Sequence, residues 1–361
     1  MDPNPTTSCR RTTFVIGVAS ILAATSGAQV SFRVLAPLPG DNLSNALAVS
    51  VNGSFVVGVS RSPSTGDLQA VRWSAAGEVE PLGFLADQTR SIPHDITADG
   101  STVVGFSGNP SFIWTRSAGM QVIPVNGSVS AISSDGAYVV GTVSPTSLYR
   151  WSTADWQGEN LNGDGYGWSI GVGDTSRDAS SIAYELAGFG DQKVVFHHAF
   201  LWREGSGNKR LFGAGGSDNA EVYGVSDNGQ WIVGSMMNRD GALRWDQNGN
   251  VLDLSAVGGW AEAVSDDGSV IIGGTPGGTP FVWIEGVGSF DLTAYLQANG
   301  VDVSGWTFTS YADMTPDGHT IAGIGRDPSG NVRGWIATIP SPASIAALCV
   351  PLAFAHHRRR S

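Results

Sequence analysis

The chain of 361 residues holds only two cysteines, Cys9 and Cys349, and both lie in terminal segments. The body between them has no disulfide to staple it and no thiolate to serve as nucleophile or metal ligand. Histidine is almost as scarce. Only His94, His197, His198 and His319 fall within the body, which leaves little material for imidazole catalysis or a zinc centre. His197 and His198 adjoin, and on a strand they would point to opposite faces, which works against joint ligation. Charge is thin too, at 14% of residues. Five of the 20 basic residues (Arg10, Arg11, Arg358, Arg359, Arg360) sit in the tails beside one acid, Asp2, so the body carries 31 acidic and 15 basic residues, a net charge of -16. Such a surface repels phosphate backbones and anionic lipid, which excludes nucleic acid as a partner, and it keeps an exported protein soluble. The patterns Gly-x-Ser-x-Gly, His-Glu-x-x-His and the phosphate-binding loop do not occur.

What is abundant points to one architecture. Glycine at 49 residues and tryptophan at 12 fit an all-β chain of many short strands and turns. A unit of hydroxyl residue, variable residue, Asp or Asn, then Gly recurs: Ser50-Val51-Asn52-Gly53, Thr97-Ala98-Asp99-Gly100, Ser133-Ser134-Asp135-Gly136, Ser226-Asp227-Asn228-Gly229, Ser265-Asp266-Asp267-Gly268 and Thr315-Pro316-Asp317-Gly318, with a degenerate copy at Ser176-Arg177-Asp178-Ala179. Successive copies are 47, 36, 43, 50, 39 and 50 residues apart, the period of a four-stranded propeller blade. The unit reads as a type I turn closed by a left-handed residue, with a G1 bulge joining two strands. A β-branched run such as Phe55-Val56-Val57 follows, then a second glycine (Gly58, Gly105, Gly141, Gly234, Gly273, Gly323) where neighbouring backbones approach. A third strand ends in Trp73, Trp114, Trp151, Trp202, Trp245, Trp283 or Trp335; a residue needed in every blade is expected to pack between blades. The seventh unit lacks a fourth strand, and Ser31–Leu38 supplies it, so the expected fold is a seven-bladed β-propeller spanning 29–338, closed by its N-terminal strand.

The ends read as addresses. Residues 1–28 combine Arg10-Arg11, the apolar stretch Phe14–Ala24 and the small residues Ser26-Gly27-Ala28, the order of a secretory signal peptide. The paired arginines leave both the general and the twin-arginine export routes open. Residues 339–361 run from Ile339-Pro340-Ser341-Pro342 through thirteen apolar residues, Ala343–Ala355, to His356-His357-Arg358-Arg359-Arg360. Thirteen residues fall short of the roughly 20 that span a bilayer core. This order resembles the bacterial PEP-CTERM sorting signal, with Ser341 where that family has Glu and Pro351 interrupting the apolar segment. The resemblance implies export to the outer cell surface or medium, an exosortase-type enzyme as partner, and transient membrane association through the tail. The string His198-Ala199-Phe200-Leu201-Trp202, with its Ser-x-Asp-Gly turns, resembles the HAF family of bacterial extracellular repeats from about Leu35 to Trp335. Thr315–Ala322 is also similar to TolB-like propeller repeats, which implies protein binding as one use of such a ring. Neither resemblance brings catalytic residues.

Candidate sites lie where the pattern fails. Asn160-Leu161-Asn162-Gly163-Asp164-Gly165 places alternate oxygens as in the first half of a calcium loop, making Asn160, Asn162 and Asp164 the candidate metal ligands, although the twelfth position is Gly171 rather than Glu. No other cofactor is expected. Three stretches depart from the repeat: Trp156–Trp168, Glu185–Val195 and Ala294–Trp306. Trp156, Tyr166, Trp168, Trp260 and Trp306 stand outside the repeated Trp position and are the candidate ligand surface. The leading expectation is a non-catalytic surface or matrix protein binding a protein or glycan. The alternatives are a carbohydrate-active hydrolase or lyase with paired carboxylates at the ring's mouth, and a structural component of an extracellular polymer layer.

Overall fold

The computed structural model describes residues 30–162, 169–189, 195–237, 241–254 and 258–339. Residues 1–28, read above as a signal peptide, and 340–361 of the segment read as a sorting tail lie outside them. Among the described residues the chain forms seven four-stranded antiparallel sheets arranged as the blades of a propeller. Blades 1 to 6 take their strands in sequence order, beginning with the innermost strands Leu43–Val49, Ser91–Ile96, Ser128–Ile132, Ser169–Thr175, Ala220–Val225 and Trp260–Val264. Blade 7 is made of Thr307–Met314, Thr320–Arg326 and Val332–Thr338, and its outer strand is the N-terminal Ser31–Leu35, which pairs antiparallel with Val332–Thr338. The ring is therefore closed by strands from opposite ends of the chain, as the unpaired N-terminal strand implied.

The repeated turn builds each blade the same way. In blade 1, Gly53 N–H donates to the Ser50 carbonyl and Ser50 N–H to that of Phe55. The Ser50 hydroxyl donates to Asn52 Oδ1 and accepts from Phe55 N–H, while Asn52 Oδ1 also accepts from Ser54 N–H. The turn's polar side chains thus satisfy backbone groups that the tight bend leaves over. The closing residue has positive φ in all seven copies, including Ala179 at 52°, where a Cβ is carried in a conformation that favours glycine. The second glycine has the predicted reason: a Cβ on Gly58 would overlap the Asn45 carbonyl of the innermost strand.

The repeated tryptophans are packing residues. Trp73, Trp245 and Trp335 are wholly buried, Trp114, Trp151 and Trp202 nearly so, and Trp283 partly. Trp73 and Trp245 each donate the indole N–H to a backbone carbonyl, of Ala36 and Phe212.

Blades are held to one another by two alternating devices. Arg72, Arg150 and Arg244, in blades 1, 3 and 5, are buried between an aromatic ring of their own blade and the repeated tryptophan of the next. Their guanidinium carbons stand 4.5 Å from Phe55 and 4.8 Å from Trp114, 4.6 Å from Tyr138 and 4.8 Å from Trp202, and 4.4 Å from Trp231 and 5.3 Å from Trp283. Each also donates to the carbonyl of the next blade's turn, at Gly100, Ala179 and Gly268. The complementary device uses aspartate and is described below. Blades 6 and 7 use neither. Between them the short helix Leu292–Ala298, capped by Asp291, lays Leu292, Tyr295 and Leu296 into a cluster with Ile272, Val282, Phe308, Tyr311 and Trp335.

Candidate functional site

The up-and-down path of each blade gives the ring two different faces. One carries the repeated turns; the other carries the second-to-third-strand loops and the crossings between blades.

The turn face is stitched together around the axis. Ala98 N–H donates to the Ser134 carbonyl, Asp135 N–H to Arg177, Arg177 N–H to Asp227, and Asp266 N–H to Pro316. The Ser134 hydroxyl and the Arg177 guanidinium both reach the Asp227 carboxylate, at 2.7 and 2.8 Å. Behind these turns lies an axial cavity of about 80 Å³ lined by residues from all seven blades, among them Asp95, Asp174 and Asp313. That volume admits a few waters, whereas ligand pockets run from about 300 Å³ upward.

The three aspartates occupy one structural position. Each innermost strand has an irregularity in its pairing, and the residue resuming the register is Ala48, Asp95, Ala131, Asp174, Gly224, Ala263 or Asp313. Each carboxylate accepts from the N–H of its own next residue: Ile96 for Asp95, Thr175 for Asp174 and Met314 for Asp313, all at 2.7 Å. The other oxygen accepts from the next blade, at Ile132 (2.8 Å), Val225 (3.5 Å) and Val49 (3.0 Å). Small residues at 131, 224 and 48 in the receiving blades leave room for it. Aspartate thus joins blades 2 to 3, 4 to 5 and 7 to 1, the interfaces that lack an arginine sandwiched between two aromatic rings.

Their electrostatics predict a pH profile. Burial pushes Asp95 up to about 6 and Asp313 up to about 7, against the opposing backbone donors. Asp174 is pushed well above the usual carboxyl range by burial and by the charge of Asp95. A raised carboxyl pKa means the folded state keeps a proton that the unfolded chain releases near 4, so this stabilisation is complete below about pH 4 and lost as pH rises through 6 and 7. The turn residues Asp99, Asp178 and Asp267 go the other way: hydrogen bonds from backbone N–H and hydroxyl groups outweigh whatever burial adds and hold them below the usual range, so their contribution is lost as pH falls below about 4. Thermal unfolding from pH 3 to 9 is expected to show its maximum between about 4 and 6, with a decline on the order of 3 kcal/mol between pH 5 and 8. Asp313→Asn should flatten the upper limb. A midpoint rising steadily to pH 8 would contradict the assignment.

The described strands that bound the irregular connections end on the opposite face: Gly158–Asn160 closes blade 3 there and Ser169–Thr175 opens blade 4, Ser181–Phe189 ends and Val195–Arg203 begins there within blade 4, and Leu292–Trp306 leads from blade 6 to blade 7. Near this face Glu185, on the second strand of blade 4, His197, on its third strand, and Glu221, on the innermost strand of blade 5, bring ligand atoms within 4.8 Å of one another. His197 Nδ1 lies 3.2 Å from Glu221 Oε1 and 3.6 Å from Glu185 Oε2. All three side chains are largely buried. Burial raises the Glu185 carboxyl above its usual range; the nearby His197 opposes this and Glu221 adds to it. The other oxygen of Glu221 accepts from the hydroxyls of Tyr223 and Ser235, the latter at 3.2 Å.

This cluster was not singled out by residue in the sequence, although it sits at the edge of the Glu185–Val195 departure. The expectation about the adjoining histidines holds: His198 stacks its ring on Phe196, with centroids 4.5 Å apart, while His197 takes the other face to meet the glutamates. The candidate calcium ligands are placed differently. Asn160 Oδ1 accepts from Asn162 N–H, and Asn162 is turned into the fold, its Oδ1 accepting from Leu148 N–H and its Nδ2 donating to the Thr146 carbonyl. Asp164, Tyr166 and Trp168 lie outside the described residues. Of the ligand-surface aromatics, Trp156 is half-buried on the turn face of blade 3, packing against the cluster around Trp151. Trp260 and Trp306 are half-buried against the cluster between blades 6 and 7, Trp306 with Phe32 edge-on at 5.1 Å. The structure therefore uses these three in packing and does not bring them together as one surface.

No family model matches the chain, and no curated protein does. Solved structures do. Over 87% of its length the chain is similar to an oligogalacturonate lyase from Vibrio parahaemolyticus, with a TM-score of 0.58, 12% identity and 98% of that chain covered. A second oligogalacturonate lyase, solved in complex with manganese, matches with a TM-score of 0.54 at 13% identity, covering 87% of this chain and 97% of its own. At these identities the likeness is one of fold.

Proposed function

We propose that the protein is an exported, surface-displayed β-propeller that binds a glycan or protein on the face opposite its repeated turns. One observation carries this reading: the described strands that bound the irregular connections end on that face, while the turn face spends its polar groups tying blade to blade. A rigid scaffold with its irregular segments gathered on one side is how rings of this kind present a binding surface. The signal peptide and the PEP-CTERM-like tail support delivery to the cell exterior, with an exosortase-type enzyme as the processing partner. The two solved structures described above are oligogalacturonate lyases, so glycans are the ligand class to test first.

A second reading is a carbohydrate-active enzyme. It is favoured by the two carboxylates, Glu185 and Glu221, that flank His197 near this face. A glycan array probed with the purified protein, together with proteomics of cell-surface and medium fractions, tests the first reading. Saturable binding to a defined glycan without turnover supports it. Release of unsaturated or hydrolysed sugar, abolished by Glu185→Gln, would replace it with the second, and confinement of the protein to the cytoplasm would overturn the first.

A further inference from the structure

The geometry points to a divalent first-row metal ion, of the zinc or manganese class, held by Glu185, His197 and Glu221 between blades 4 and 5. Three independent features of the cluster support it. First, His197 Nδ1 is fully enclosed yet has no hydrogen bond, although two carboxylate oxygens stand 3.2 and 3.6 Å away. An enclosed ring nitrogen this near two carboxylate oxygens, with no hydrogen bond to either, has the surroundings of a metal ligand. Ligand atoms on one ion at bond lengths of about 2.0–2.2 Å stand roughly 3.0–3.6 Å apart, which is the spacing of His197 Nδ1 from each carboxylate.

Second, the carboxylates are positioned from behind. Tyr223 and Ser235 hold Glu221 Oε2, leaving Oε1 turned toward His197. Outer hydrogen bonds of this kind are what orient metal-binding carboxylates. Third, a glycine leaves room for the Glu185 side chain. Gly171 lies opposite Glu185 across the sheet, and a Cβ there would stand 3.0 Å from Glu185 Cγ and 3.1 Å from its Oε1.

The donor set selects the class of ion. One imidazole nitrogen with two carboxylates suits zinc and manganese better than calcium or magnesium, which take all-oxygen sites. Three protein ligands leave at least one coordination position for water or a ligand oxygen. The assignment stands whether or not this face binds a glycan.

The test uses the full chain carrying His356→Ala and His357→Ala, so that the tail histidines offer no competing site. Zinc calorimetry and the loss of the free manganese electron-paramagnetic signal should both report one ion per chain. Glu185→Gln and His197→Ala are each expected to weaken binding at least tenfold, while His198→Ala leaves it unchanged. Gly171→Ala, which removes no metal ligand, should weaken it by pressing on the Glu185 side chain. Circular dichroism checks that each variant is folded; if His197→Ala is not, Glu185→Gln, which keeps the shape, decides. Absence of saturable binding, or binding unaltered by Glu185→Gln and Gly171→Ala, overturns the assignment.

Discussion

A chain lacking residues 30–38 is expected to lose its cooperative unfolding transition at 25 °C. The strand Ser31–Leu35 forms the outer edge of blade 7, in register with Gly334–Thr338. It is also bound to blade 1, and that makes it the seam of the ring. Leu35 is buried among Val56, Val71 and Trp73 of blade 1, and its carbonyl accepts from the Ser44 hydroxyl. The Trp73 indole donates to the Ala36 carbonyl, and Leu38 N–H donates to the Ser60 hydroxyl. On the blade 7 side, Phe32 packs against Trp306, Phe308 and Trp335. Deletion would strand the Trp73 indole N–H, at about 1–3 kcal/mol for a buried unsatisfied donor, and remove two large apolar side chains at about 2–3 kcal/mol each. It would also open the edge of Val332–Thr338 to other chains. Against a total stability of 5–15 kcal/mol for a typical domain, the loss leaves little. Leu35→Ala alone should cost about 3 kcal/mol. Calorimetry of the truncated chain and of Leu35→Ala checks both; an unchanged midpoint in the truncation would show that the ring closes without its N-terminal strand.

The fold was legible because its signals are local. Ser265-Asp266-Asp267-Gly268 makes a turn with its own side chains, and seven copies of the turn count the blades before any distant contact is known. The inter-blade aspartates left a trace too. Two residues before each turn's hydroxyl stand Ala48, Asp95, Ala131, Asp174, Gly224, Ala263 and Asp313, a column in which carboxylates alternate with small residues until blade 6. The arginines before Trp73, Trp151 and Trp245 form a second column. Both follow from aligning the repeats beyond the turn itself. The cluster of Glu185, His197 and Glu221 left no such trace. Its members come from three strands and two blades, and in the degenerate blade 4 Tyr184 stands where the others have their second glycine. The outlying Trp156 and Trp306 are conspicuous in the sequence because they stand off the repeat, and both are partly buried against the apolar clusters of their blades.

Arg150→Ala should destabilise the ring by about 3–4 kcal/mol, the largest effect expected of a single substitution outside the closing strand. The guanidinium lies between the rings of Tyr138 and Trp202, and desolvated stacking of this kind contributes about 1–2 kcal/mol per face. Its Nη1 donates at 3.0 Å to the Ala179 carbonyl, a buried acceptor that truncation would leave unpaired. Glu159 and Glu204, at 2.9 and 3.4 Å, are more than half exposed, so solvent screening makes their ion pairs minor contributors. The stem matters as well, because removing it opens a gap between two aromatic rings. Ala179 is also where blade 4 carries a Cβ at positive φ, so loss of the bond that anchors its carbonyl should loosen the one repeated turn not closed by glycine. Arg150→Lys keeps the charge and part of the stem but cannot present a flat face to both rings while donating to Ala179, and about half the loss should remain. The exposed Arg116, which pairs with Glu80 at the rim, provides the control, and its replacement by alanine should leave the unfolding midpoint unchanged. Denaturant unfolding of the three variants separates the accounts. If charge pairing held blades 3 and 4 together, Arg150→Lys would restore wild-type stability and salt would mimic Arg150→Ala; if stacking and the carbonyl bond do, neither will happen.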